Sequence, residues 1–202
     1  MRALTIGISL FAVSLFAATA AEAGWQDVAS QYDQKRLMML QESRAEGLQQ
    51  AQAGRDMGAI NEVLGPQGRP IENLSGMWRC RQMKLGGMTP SRVYDWFNCR
   101  ISDRGGHLYF QKLNGSTRTA GYLYPNGDGT YVYLGAVSVV GEPVHAYSGS
   151  GASVGEGSTP DDQIGLLVGL GGGHARIELP YPMQESTFDV IELKRSEALL
   201  RP

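Results

Sequence analysis

Apolar and polar positions follow two different rhythms along the chain. Between residues 24 and 64, apolar side chains return every three or four positions: Trp25, Val28, Ala29, Tyr32, Leu40, Leu48 and Ala51, with Asp, Gln, Lys and Arg between them. That spacing lines one face of a helix. It predicts a helix over 25–52 that docks on the rest of the protein, because its apolar stripe would otherwise face water. Gly54-Arg55-Asp56 interrupts the pattern, and Asp56 is placed to cap a short second helix carrying Ile60, Val63 and Leu64. Gly65-Pro66 stops that helix, and residues 65–73 form a linker containing proline and glycine.

From residue 74 onward the period becomes two. Trp78 and Cys80 alternate with Arg79 and Arg81. In the next run Val93, Phe97, Cys99 and Ile101 alternate with Tyr94, Trp96, Asn98 and Arg100. Successive side chains of a strand point to opposite faces, so Trp78, Cys80, Phe97 and Cys99 share an inner face while Arg79, Arg81 and Arg100 point out. Further strands are expected over Leu108 to Leu113, Thr117 to Tyr124, Tyr131 to Val140, Val144 to Tyr147, Ile164 to Leu170, His174 to Leu179 and Phe188 to Leu193. Asn114-Gly115 is the strongest hairpin signal, and Asn126-Gly127-Asp128-Gly129 turns the chain again. Roughly eight or nine short strands at hairpin spacing predict a mainly β fold, an antiparallel barrel or sandwich. With the N-terminal helical segment packed against it, the whole is α+β. The domain plan is therefore a leader at 1–23, helices at 24–64, the linker at 65–73 and a β domain at 74–202.

Composition adds a compartment. Met1-Arg2, the apolar run from Leu4 to Phe16 and Ala21-Glu22-Ala23 have the anatomy of a signal peptide cleaved near Ala23. Neither that run nor any later one has the length of a membrane span. A periplasmic or secreted location follows, and in an oxidising compartment Cys80 and Cys99, the only two cysteines, are expected to pair. A formal net charge of −2 over 202 residues argues against a nucleic-acid binder.

Chemistry is thinly marked. Gly151-Ala152-Ser153-Val154-Gly155 matches the GxSxG pattern of serine hydrolases, but it lies in Gly/Ser-rich sequence with no helix after it, so it reads as coincidence. His107, His145 and His174 show no metal-ligand spacing, so neither a metal nor another cofactor is expected. Arg79, Arg81 and Arg100, with Trp96 among them, make a basic face that is either an ordinary solvated outer face of the sheet or a site for an anionic envelope ligand or protein. The leading expectation is a non-enzymatic binding protein. An envelope enzyme built from His107, His145, His174, Glu185 and Asp189 is the alternative, and a structural envelope component is a third reading.

The segments WRCRQMKLG, FNCRI, FQKLNGSTRTAGYLY and ESTFDVIELKR, in that order, resemble the bacterial family catalogued as domain of unknown function 4893. The resemblance covers Trp25 to the region of Leu193. It implies an exported bacterial protein and supplies no catalytic residues. Gly76-Met77-Trp78, one disulfide and about eight strands also look like lipocalins and the small barrel inhibitors of exported metalloproteases. The long helical segment departs from that pattern, and fold likeness does not establish function.

Overall fold

A computed structural model describes residues 24–149 and 158–196. Among the described residues four helices come first: α1 (Trp25–Val28), α2 (Gln31–Met38), α3 (Leu40–Ala51) and α4 (Met57–Leu64). Nine strands follow among the described residues. They are β1 (Gly76–Leu85), β2 (Ser91–Val93), β3 (Phe97–Arg104), β4 (His107–Lys112), β5 (Thr117–Pro125), β6 (Tyr131–Val139), β7 (Asp162–Gly171), β8 (His174–Pro180) and β9 (Phe188–Arg195). Each strand from β3 to β8 pairs antiparallel with the next, and β1 pairs with both β3 and β9. The sheet therefore closes into an eight-stranded barrel, with β2 as one extra strand beside the end of β1. Closure removes the free edges that an open sheet would present. Of the two architectures left open by the strand pattern, the fold is the barrel.

The period-two pattern accounts for the interior. Trp78, Cys80, Cys99, Ile101, Phe110, Leu123, Tyr133, Leu167, Ile177 and Leu193 meet in one buried cluster inside the barrel. Cys80 and Cys99 are disulfide-bonded across β1 and β3, with 5.9 Å between their Cα atoms. Phe97 packs against the same cluster, so the predicted inner face of these two strands is correct.

The helices dock on the outer wall. Met83, Leu85, Phe188 and Val190 point outward from β1 and β9 and are buried under Leu40, Ala51, Ile60, Val63 and Leu64. Gly47 lets α3 lie close against β9: a Cβ there would lie 2.6 Å from that of Phe188. A second cluster joins Ala29 to Val132, Leu134 and Ile164. Strands β6, β7 and β9 are thus covered on both faces along most of their length, which is why β6 and β7 read as nearly continuous apolar runs.

Three expectations are corrected. The helix predicted over 25–52 is three helices. Ser30 breaks it by acting as an N-cap, its Oγ accepting from the Asp33 amide at 3.1 Å, and Met39 separates α2 from α3. The strand predicted over Val144–Tyr147 is a loop. Both edges of β6 are already taken by β5 and β7, so the loop's polar groups find other partners. The His145 amide donates to Ser138 Oγ at 2.8 Å, and the Tyr147 hydroxyl donates to Asp33 at 2.6 Å. Finally, the run that holds Val93 to Ile101 is two strands. Met83 faces Val93 while Cys80 faces Phe97, so Tyr94, Asp95 and Trp96 stand opposite only two residues of β1. That one extra residue is a bulge, and it turns Val93 to the helix-covered wall while Phe97 stays inside.

Candidate functional site: the polar mouth of the barrel

The interior is apolar only part of the way. On β1 the inward positions run Trp78, Cys80, Gln82, Lys84. On β9 they run Leu193, Ile191, Asp189. Lys112 on β4, Thr117 and Thr119 on β5, and Gln163 on β7 continue the same inward series. Gln82, Lys84, Lys112, Thr117, Thr119, Gln163 and Asp189 line a cavity of about 370 Å³ at one end of the barrel, with Arg36, Gln184 and Glu185 also in its lining.

Glycine builds the floor. A side chain at Gly135 would collide with the Tyr133 hydroxyl, so glycine there lets the Tyr133 ring lie across the barrel. The Tyr133 hydroxyl meets Thr119 Oγ1 at 2.8 Å, and Thr119 in turn donates to Gln163. This chain of hydrogen bonds separates the apolar core from the polar space above it, and burial pushes the Tyr133 phenol up, keeping it neutral.

The carboxylate wall is provided by β9 and the turn before it. Asp189 is 2 % exposed. It accepts from Gln82 Nε2 at 2.9 Å and from Ser186 Oγ at 2.6 Å. Burial pushes its carboxyl up to about 6, more than Ser186, Lys84 and Gln82 pull it down, and Glu185 adds to the rise. Lys84 stands opposite Asp189 in the β1–β9 ladder and donates to Glu185. Burial opposes its charge, but Glu185, Asp189 and Tyr94 together hold the ammonium above its usual range.

The opposite wall carries cations. Lys112 Nζ donates to the Thr117 carbonyl at 2.8 Å and stands 3.8 Å from the centre of the Phe97 ring. Burial, with Arg118 beside it, pulls its ammonium down to about 8. Arg118 lines the same cavity.

A pH-dependent result follows from Asp189. A carboxyl raised from 3.8 to about 6 keeps its proton in the folded state where the unfolded chain has lost it. Stability from this group is therefore greatest at low pH, falls as pH rises from about 4 to about 6, and is flat above. At neutral pH the ionised, buried carboxylate costs on the order of 1–3 kcal/mol. Asp189→Asn keeps both hydrogen bonds once the Gln82 amide turns over. It should raise neutral-pH stability by that amount and remove the slope, as read from urea unfolding between about pH 4 and 8. A variant less stable than the parent at neutral pH would refute the assignment.

The residues expected from sequence fall in two places. Arg79, Arg81, Trp96 and Arg100 are all outside the mouth, on the outer wall formed by β1, β3 and the bulge. Arg79 and Arg100 are exposed. Arg81 is ion-paired with Glu192, and its guanidinium lies 4.7 Å from the Trp96 ring, with Lys194 Nζ at 5.1 Å. The tryptophan is therefore covered by cations rather than bare. The three histidines are dispersed. His107 packs near Tyr122 and Tyr124, His145 lies 3.3 Å from Asp161, and His174 contacts Glu192 at 2.8 Å. Glu185 and Asp189, by contrast, do come together in the mouth. The GxSxG segment and the leader with Ala23 lie outside the described residues.

Sequence reasoning did not place Gln82, Lys84, Lys112, Thr119 and Gln163 in an interior site; Lys84 stood out only as one of the basic residues of this strand region. Their signal was parity. Lys84 is in phase with Trp78 and Cys80, and Lys112 with Leu108 and Phe110, so both are polar residues on an apolar face.

Among the described residues no helix is long and apolar enough to cross a membrane. A disulfide-bonded barrel of this kind is compatible with a periplasmic or secreted protein. The likeness to lipocalins rests on barrel architecture alone. No curated protein and no solved structure matches the chain. One family model does, over residues 25–193, and its description is domain of unknown function (DUF4893). With most of its length inside that match, this chain belongs to the DUF4893 family.

Proposed function

We infer that this is an exported binding protein of the bacterial envelope that holds a small polar ligand in the mouth of its barrel. The carrying observation is the cavity: a closed barrel filled with apolar side chains at one end opens at the other into about 370 Å³ lined by Gln82, Lys84, Lys112, Thr119, Gln163 and Asp189. A concave space with a few convergent polar groups is the usual form of a small-molecule site. Export is supported by the leader-like N-terminus and by the buried disulfide.

A second reading, an envelope hydrolase, has one observation in its favour. Asp189, raised to about 6 within a cavity, has the properties of a general base. Against it, both carboxylate oxygens already accept hydrogen bonds, from Gln82 and Ser186. The outer face of Arg79, Arg81, Trp96 and Arg100 supports binding less well, because Arg81 is paired with Glu192 and Trp96 already has Arg81 and Lys194 against its ring.

The test is to fill the cavity. Val137 points inward on β6 and lines it. Val137→Trp should reduce the affinity of solutes found in a thermal-shift screen of small polar compounds by at least about tenfold, by displacing them from the cavity. Unchanged affinity in the variant would place the binding elsewhere, with the outer basic face next to be mutated.

A further inference from the structure

Most buried or half-buried cations of the protein have a carboxylate of their own. Arg36 has Asp33, Arg44 and Arg176 share Glu178, Arg81 has Glu192, and Lys84 has Glu185. Two at the mouth do not. Lys112 ends β4 and Arg118 lies near the start of β5, across a short turn, and among the described residues neither makes an ion pair. The Arg118 Nε is buried with no hydrogen-bond partner among those residues. Lys112 uses one donor on the Thr117 carbonyl. The two side chains also line both the main cavity and a second one of about 240 Å³ on the outer side of the same rim, bounded by Gln111, Val139 and Glu142. They stand on the saddle between the two spaces, so a group lying there reaches both.

The geometry points to an anion subsite: Lys112 and Arg118 together grip the carboxylate or phosphoryl group of a small organic anion whose uncharged, hydrogen-bonding body extends toward Thr119 and Gln163. Two like charges held side by side repel, and a buried guanidinium nitrogen without an acceptor carries an unmet desolvation cost. An anion placed between the two side chains offsets the repulsion, with charge-assisted hydrogen bonds that are the stronger kind. The depressed ammonium of Lys112 agrees with this placement, since it records burial and the neighbouring arginine without a counter-charge. The far wall completes the match. Gln82 and Asp189 offer hydrogen-bonding groups, while Asp189 and Glu185 would repel a second negative charge placed beside them. The fitting ligand has its charge at one end and hydroxyl or amide groups at the other.

This inference rests on the mouth being the binding site, and the experiment separates the two. Isothermal titration of the full mature chain at low salt uses inorganic phosphate, lactate and, as a neutral analogue of lactate, propane-1,2-diol. Lactate and phosphate compared in one series identify which anionic group the subsite takes. At least one anion should bind saturably, with the diol at least about tenfold weaker. Lys112→Met and Arg118→Met should each weaken that anion by about tenfold to a hundredfold, whereas Lys112→Arg, which keeps the charge, should retain most of the affinity. Neither methionine variant should melt lower than the parent, because each removes a repulsion. Anion binding equal in parent and both methionine variants overturns the subsite. So does a parent that binds neither anion yet binds a neutral solute displaced by Val137→Trp, in which case the mouth stands as the binding site. A parent that binds nothing in the mouth removes both readings.

Discussion

A chain lacking residues 24–64 should fail to show the cooperative thermal transition of the full mature protein. The helices are the second half of a core. Met83, Leu85, Phe188 and Val190 leave the barrel wall outward, and each is fully buried because Leu40, Ala51, Ile60, Val63 and Leu64 lie over them. Stripping the helices returns those four side chains to water at about 1.5–3 kcal/mol each. The sum, about 6–12 kcal/mol, is comparable to the whole stability of an ordinary domain. The same deletion also uncovers charge. Arg176 on β8 donates to the Val63 and Pro66 carbonyls, and Arg44 on α3 reaches Glu178. Loss of ellipticity and exposure of dye-binding apolar surface at room temperature would confirm the loss. A truncated chain that melts cooperatively within a few degrees of the parent would show that the barrel stands without its outer layer.

The second large effect belongs to the disulfide. Cys80→Ala with Cys99→Ala should lower stability by about 3 kcal/mol, within the usual range for a native bridge closing a short loop. For a chain of this size that corresponds to roughly 6–12 °C in melting temperature. Both cysteines are essentially inaccessible, at 1 % and 0 % exposure. Reductant should therefore act on the folded protein only as fast as it unfolds, and thiol labelling under native conditions should track the unfolding rate. Rapid native-state reduction, or a double variant as stable as the parent, would contradict the staple.

Much of the architecture could be read from alternation. Trp78, Cys80, Phe97 and Cys99 share a face because side chains alternate along strands, and the pairing of β1 with β3 puts them where parity requires. What alternation could not supply was register across irregularities. The bulge at 94–96 adds one residue, and with it Val93 changes walls, which no local pattern announces. Val144 to Tyr147 had the composition of a strand but no free edge to join, and edge availability is a property of the closed sheet. The break at Ser30 was carried by Ser30-x-x-Asp33, a capping pattern that an apolar stripe running across it obscured.

The site was less legible than the fold. Arg79, Arg81, Arg100 and Trp96 drew attention because charge and an aromatic stood together in sequence, and the structure does set them on one outer wall. The mouth is instead assembled from one or two inward polar residues on each of several strands, separated by up to about a hundred positions, as with Lys84 and Asp189 facing each other across β1 and β9. Convergence of that kind depends on closure and on which end of the barrel each residue occupies. Asp189 and Glu185 were named among possible catalytic groups for their chemistry, and they reached the mouth alongside Lys84 and Lys112, whose place there only the closed sheet reveals.

The most direct measurement of where this protein binds is a map of amide and side-chain chemical shifts, recorded with and without the small-molecule fraction of a bacterial envelope extract. A ligand in the mouth perturbs Gln82, Lys84, Lys112, Thr119, Gln163 and Asp189, residues that meet only there, and leaves Arg79 and Arg100 unmoved. Perturbations confined to Arg79, Trp96 and Arg100, with the mouth silent, would contradict the account.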